Sequence, residues 1–205
     1  KQIWEIADID EEDVYEPTMD VLQKIIKNVE GEKAEWEAFL SRKKLHAKFK
    51  ADIHDKPFDR IGSHNLVDYL DAGFFEPTFN DKWKYRKEQP PRLAVIIDDS
   101  LGTDLMARRK AGLTNLCIRH RHIADGLGIS IFMLVQSYCC LGGVARAIRE
   151  NCTHLMIFKI NDENQIKKIK EECDLPITDE EWIAMCNYCH EIPYNFLFLD
   201  FVPKT

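Results

Sequence analysis

None of the nine glycines in this 205-residue chain falls in the pattern Gly-x-x-x-x-Gly-Lys-Ser/Thr. Gly31 leads into Glu-Lys-Ala, Gly112 into Leu-Thr-Asn, and Gly142-Gly143 into Val-Ala-Arg. The backbone N–H nest and lysine with which such a loop cradles phosphates are therefore not written in these residues. No apolar run approaches the roughly 18 residues of a membrane-spanning helix, and Lys1-Gln-Ile-Trp-Glu is not a secretion signal. A surplus of positive charge is missing too. With 28 Lys and Arg against 35 Asp and Glu the net charge is −7, which excludes a chain that coats nucleic acid through its overall field and leaves only local basic patches open. Internal repeats and low-complexity segments are absent. So is an even number of cysteines: seven, several inside apolar stretches where cysteine acts as a small hydrophobe, favour a reducing compartment over a disulfide framework.

One cysteine pattern invites a sharper reading. Cys186-Asn-Tyr-Cys189-His190 has the spacing of c-type haem attachment, and with Cys173 it can be drawn as a zinc site. Haem attachment needs an exported chain, and zinc needs a second well-spaced ligand pair. The preceding Asp179-Glu-Glu-Trp-Ile-Ala-Met-Cys reads as an amphipathic helix burying Trp182, Met185, Cys186 and Cys189, so core cysteines are the expectation.

What is present is a series of apolar strands with polar tips. Leu93-Ala-Val-Ile-Ile-Asp-Asp-Ser100 is an unbroken aliphatic run ending in paired carboxylates, expected as a strand buried on both faces. That is the shape of a Walker B element, in which the first acid holds Mg²⁺ through water and the second orients the attacking water. The plainer reading is a core strand entering an Asp-Asp-Ser turn. A second strand, Ile129-Ser-Ile-Phe-Met-Leu-Val-Gln-Ser137, ends in the amide of Gln136, followed by Tyr138. Between the two lie Arg119, His120, Arg121 and His122. After the second come Arg146 and Arg149, then a third strand, His154 to Ile160. The two histidines flanking Arg121 lack a convergent acid or thiol partner, so hydrogen bonding is expected of them rather than metal ligation.

In this order the chain resembles the genome-packaging ATPases of nucleocytoplasmic large DNA viruses, a branch of the FtsK/HerA pumping ATPases. The resemblance rests on Ile96-Ile-Asp-Asp99, Arg121-His122 followed by Ser130, Val135-Gln-Ser-Tyr138, and Ile148-Arg-Glu-Asn151 leading into Leu155-Met-Ile-Phe-Lys159, and it covers about residues 93 to 165. It implies ATP hydrolysis with Mg²⁺ coupled to translocation of double-stranded DNA for viral genome packaging. Asp98 would hold Mg²⁺ through water, Asp99 would orient the attacking water, and Gln136 would sense the γ-phosphate. Arg149 or Arg121, with Arg146 a further candidate, would reach a neighbour's γ-phosphate as an arginine finger. Implied partners are a homo-oligomeric ring and viral capsid or membrane proteins; implied locations are the cytoplasmic viral factory of the host or the virion. The missing phosphate loop is the departure, and the expectation is a segment whose phosphate-binding strand lies upstream, with a degenerate paralogue as the alternative. In the implied fold that strand sits between the amide-tipped strand and the next one, so its absence would leave two unpaired strand edges.

The remainder reads as helix and loop. Pro17-Thr18 opens a helical pattern to about Lys50, kinked or divided at Gly31. Its polar face carries Arg42, Lys43, Lys44, Lys48 and Lys50, either solvated or facing DNA. Ile3 to Ile6 reads as a short strand, His54 to Gln89 as aromatic-rich packed loops with a short helix at Asn65–Leu70, and Lys82-Trp-Lys-Tyr-Arg-Lys87 as a connector or a base-stacking segment. Leu101 to Gly112, including Arg108-Arg-Lys110, reads as a helix, as does Glu163 to Cys173. A capping box at Thr178 and Glu181 starts a helix ending near Ile192-Pro193, and Phe196–Phe201 is a final strand. The expected architecture is α/β: a P-loop-type, mainly parallel sheet flanked by helices, with residues 1–90 a helical, loop-rich part and 91–205 the α/β core. Two other functions remain, a non-catalytic assembly or DNA-binding module that keeps the Walker B strand, and a metal-dependent nuclease using Asp98 and Asp99.

Overall fold

A computed structural model describes residues 9–76, 85, 89–106, 112–140 and 143–202. The expected strand at Ile3–Ile6, the basic Arg108-Arg109-Lys110, Gly142, and the Lys82–Lys87 run apart from Tyr85 lie outside the described residues. Two compact units emerge. One comprises the described residues of Lys1–Lys24, Ala94–His120 and Ser130–Thr205, the other those of Ile25–Leu93 and Arg121–Ile129. The units are discontinuous: 121–129 groups with the helical part, and the described residues before Ile25 with the α/β part.

Helix α1, Val21–Asp55, is 35 residues long, about 52 Å at roughly 1.5 Å per residue. It runs without interruption through Gly31, where a break was expected. A glycine inside a helix costs only about 1 kcal/mol relative to alanine, and no neighbour lies within 4 Å of where its Cβ would stand. In the helical unit Phe49 of α1 lies 5.3 Å from Tyr69, 5.4 Å from Phe74 and 5.1 Å from Phe75. Tyr69 belongs to helix α2, Ser63–Asp71. Gly73, at φ +73, reverses the chain after α2 so that Phe74 N–H reaches Tyr69 C=O at 3.0 Å, a conformation glycine adopts without strain. The buried Tyr69 hydroxyl donates to Asp52 at 2.7 Å, and Asp52 also accepts from Lys56 at 2.7 Å. Members of the basic face are used inside the unit: Arg42 donates to the Ala72 carbonyl at 3.3 Å and Lys48 to Asn65 at 2.7 Å.

In the α/β unit, strands β1 (Ala94–Asp98) and β2 (Ser130–Leu134) pair in parallel, with Asp98 opposite Leu134. The predicted helix from Leu101 is replaced over its described part by a turn through Gly102 and a short 3-10 segment, Asp104–Met106; helix α3 is Gly112–Arg119. The reason is local competition: Ser100 Oγ donates to Asp98 C=O at 3.0 Å and Thr103 Oγ1 to Ser100 C=O at 2.7 Å, bonds that hold a turn instead of opening a helix. Helix α4 is Arg146–Glu150. Strand β3 (His154–Ile157) pairs with β4 (Leu197–Asp200), antiparallel. Between them run α5, Glu163–Glu172, and α6, Asp179–Cys189. The capping box is formed as predicted, Glu181 N–H to Thr178 Oγ1 and Thr178 N–H to Glu181 Oε2. Helix α6 stops at Cys189, short of the predicted end, and His190 caps it. The core of this unit is Ile157, Ile166, Ile169, Trp182 and Cys186. Trp182 is fully buried with its indole N–H on the Ile166 carbonyl at 2.7 Å.

The class is mixed α/β. A single mainly parallel sheet is not what the described residues form; they make one parallel and one antiparallel pair, and the outer edges of β2 and β3 have no ladder partner among them. Nor is β1 buried on both faces. Only Ile97 is buried, while Ile96 is 58% exposed and Phe132 of β2 53%. Parallel strands are ordinarily covered on both sides, and no helix among the described residues covers this face. None of the helices described is long and apolar enough to cross a membrane.

Candidate functional site

The parallel register brings the polar tips of β1 and β2 to the same end. Asp98 is the last ladder residue of β1; its carboxylate is exposed and bonds to no other described residue. Asp99 leaves the strand at φ +45, a left-handed turn that the short polar side chain of Asp tolerates better than most. Gln136 Nε2 donates to Asp99 Oδ1 at 2.9 Å. This is the one pair of predicted site residues that the structure joins directly. Asp99 keeps a second carboxylate oxygen, and Gln136 keeps its carbonyl, so two acceptors face solvent where a water can bridge them.

The residues after Gln136 are fixed from α5. Gln165 Oε1 accepts from Ser137 Oγ and from Tyr138 N–H, both at 3.0 Å. Arg149, predicted as a finger, is placed differently. Its Nε and Nη2 donate to the two carboxylate oxygens of Glu172 at 2.8 Å each, and Nη1 donates to the Val144 carbonyl. The guanidinium also lies 5.0 Å from the Tyr138 ring centroid. All its donor groups are turned inward, so Arg149 joins α4 to α5 within its own chain. Glu172 is held below the usual carboxyl range by the Arg149 guanidinium first, with the Tyr138 hydroxyl adding to it and burial opposing. Burial raises Tyr138 well above the ordinary phenol.

Arg146 pairs with Glu150 at 2.7 Å one turn on. Arg121 belongs to the helical unit, exposed at the start of a segment that reverses through Ala124 and Asp125 at φ near +50, and its side chain has no described partner. His120 Nδ1 lies 2.6 Å from the Cys117 carbonyl. Cys186 is buried in the core, its thiol pushed up to about 11 by desolvation. His190 turns its ring to the Ile157 carbonyl at 2.9 Å. No group of three or more His, Cys, Asp or Glu side chains converges as a metal centre among the described residues. Cavities of about 330 and 220 Å³ are lined by Phe158, Lys159 and residues 188–196, which include Cys189 and His190 of the haem-like pattern but none of Asp98, Asp99, Arg121, Gln136 and Arg149.

An exposed, unbonded carboxylate at a strand end fits a hydrated Mg²⁺, which takes one or two carboxylates and keeps most of its waters. The residues present do not fit a triphosphate cradle, for the loop that would make it is not in the sequence. Sequence reasoning missed Gln165 and Glu172. Their signal was visible: they are seven residues apart on the α5 face that also carries the buried Ile169, and helix neighbours at that spacing share a face. No family model, curated protein or solved structure matches the chain.

Proposed function

We propose that this chain is part of an ATP-driven motor that translocates double-stranded DNA during viral genome packaging, its acidic tip working beside a phosphate loop carried on residues outside the 205. The observation that carries the reading is the 2.9 Å bond from Gln136 to Asp99 at the shared end of two parallel strands. Ligands of open α/β sheets bind outside the carboxyl ends of such strands. Asp99, with one oxygen taken by Gln136, turns its other oxygen to a water and receives that water's proton as the water attacks a γ-phosphoryl group, the bond to the bridging oxygen breaks and ADP leaves with that oxygen. The Gln136 carbonyl accepts the water's second hydrogen and fixes its direction. Asp98 would hold a hydrated Mg²⁺, whose charge would offset that on a phosphoryl group under transfer. Of Arg121, Arg146 and Arg149, Arg121 is the one with no partner among the described residues, and it is the one we assign to act across a subunit boundary in a ring.

DNA as the substrate, the ring, the capsid or membrane partners and the location in viral factory or virion rest on the resemblance alone. One observation favours the second reading, an assembly or DNA-binding module without phosphate chemistry: the chain has no Gly-x-x-x-x-Gly-Lys-Ser/Thr. The coding sequence upstream of Lys1 separates the two. If it encodes that loop after an apolar strand, and the longer protein hydrolyses ATP faster with duplex DNA present, the motor reading stands. A longer protein with no such loop and no turnover would leave the module.

A further inference from the structure

We infer that Gln165 is the positioning residue of the Asp99–Gln136 pair. Strand β2 ends at Leu134, so Gln136 lies two residues beyond the last ladder bond, in a stretch that makes none of its own. A solvent-exposed hydrogen bond between two short side chains does not outweigh the freedom of an unanchored loop by much. Something must hold the backbone, and Gln165 does so. Its single carbonyl oxygen accepts from the Ser137 hydroxyl and the Tyr138 N–H at 3.0 Å each, fixing the two residues that follow Gln136.

The sequence Asp162-Glu-Asn-Gln165 has the spacing of a helix N-terminal capping pair, in which the fourth residue reaches back to the first. The N-cap role is met instead by Asp162 accepting from Asn164 N–H at 2.9 Å. Gln165 gives Asp162 only a long contact, Nε2 to Oδ2 at 3.4 Å, and turns its carbonyl away to the β2 loop. Helix α5 is an anchored base for this: Ile166 and Ile169 lie in the core, and Glu172 two turns on is clamped by Arg149, whose guanidinium faces the ring of Tyr138. Gln165 touches no reacting group and acts through Gln136.

The test uses the 205-residue chain labelled with ¹⁵N and reads the side-chain amide resonances of Gln136, assigned through Gln136→Glu. Asp99→Ala, which removes the acceptor, gives the position of the unbonded amide. Gln165→Met should move the Gln136 signals to that position, whereas Gln165→Glu, whose carboxylate still accepts from Ser137 and Tyr138, should leave them near wild type. Gln136 signals unchanged in a folded Gln165→Met chain would overturn the inference. Should Gln165→Met fail to fold, Ser137→Ala removes one of the two bonds and must shift the signals part of the way; no shift there overturns it as well. The kinetic arm alone rests on the proposed function. In the longer protein Gln165→Met should lower kcat about 10-fold or more through misplacement, with KM within about twofold and Gln165→Glu recovering most of the rate. If that protein hydrolyses no ATP while the amide signals move as described, the motor reading fails and the positioning role stands.

Discussion

Arg149 and Glu172 meet through two parallel hydrogen bonds of 2.8 Å, with only 11% and 5% of their side chains exposed. Removing one partner strands a charge in a half-dry site, which costs about 3–5 kcal/mol, while replacing both by apolar groups of similar volume is close to neutral. Arg149→Met and Glu172→Leu should therefore each lower the thermal midpoint sharply, and the double variant should recover much of the loss. Midpoints by circular dichroism decide it. Additive losses in the double variant would mean that the two side chains are not coupled.

The same pair sets a pH limit. The folded pKa of Glu172 lies below its ordinary 4.5 because Arg149, and secondarily Tyr138, favour the ionised form. A depressed carboxyl contributes stability that is fully present above the unfolded value and is lost as pH falls through the folded one. The contribution of Glu172 should thus vanish progressively below about pH 4.5. Urea midpoints of wild type and Glu172→Gln, taken from pH 7 to pH 3, should converge at the acid end; a constant gap would remove Glu172 from the acid response.

At the alkaline end the relevant group is Tyr69, fully buried and pushed up to about 12 by desolvation first and by its bond to Asp52 second. Between pH 10 and 12 the unfolded phenol ionises while the folded one stays protonated, so stability falls with rising pH across that window. Tyr69→Phe should flatten this limb. At neutral pH it should cost about 1–3 kcal/mol, because the buried Asp52 loses an acceptor bond. Stability measured at pH 9 and pH 11 for both proteins tests both effects.

Much of this was legible in the chain before its structure. The aliphatic runs fixed where β1 and β2 lie, and the Thr178–Glu181 box fixed the start of α6, because both are local signals. The Gln136–Asp99 contact was not legible as a bond, since it depends on the register that sets Asp98 opposite Leu134 and on the left-handed turn at Asp99. Arg149 misled for a related reason: an arginine after the amide-tipped strand reads as a free cation until Glu172, 23 residues on, returns beside it. The turn after Ser100 was misread because hydroxyl-to-backbone bonds at Ser100 and Thr103 outcompeted a weak helical pattern. The faces carrying Ile96 and Phe132 were expected to be covered because apolar runs imply burial, and periodicity cannot say what covers them.

For the chemistry, the chain of 205 residues should bind ATP with Mg²⁺ weakly and turn it over negligibly, as its sequence carries no Gly-x-x-x-x-Gly-Lys-Ser/Thr loop. Micromolar affinity with steady turnover by this chain would mean that other residues build the cradle. In a longer protein that includes the loop, Asp99→Asn should leave nucleotide affinity nearly intact and reduce kcat by about 10²-fold or more, the contribution of a positioned general base. Asp98→Ala should chiefly raise the Mg²⁺ concentration needed for half-maximal rate. Full turnover by Asp99→Asn would make the carboxylate pair structural.

The finger is then decided by mixing subunits. Arg149 donates to Glu172 and Val144 inside its own chain, whereas Arg121 is exposed with no partner among the described residues, so a ring motor would take Arg121 across the boundary. A finger acts on transition-state charge and is worth about 10³-fold or more in turnover. Arg121→Ala subunits should bind nucleotide normally and hydrolyse it very slowly. Mixed with Asp99→Asn subunits, which keep Arg121 and lack the base, they should recover part of the rate, because some boundaries then join an intact Asp99 to an intact Arg121. Arg149→Lys subunits, which keep a cation but lose the two-pronged bond to Glu172, should instead lose stability and gain nothing from the same mixing. If the Arg121→Ala and Asp99→Asn subunits assemble together and recover no activity, Arg121 does not act in trans and the ring-coupled mechanism loses its remaining free cation among the three arginines singled out for it.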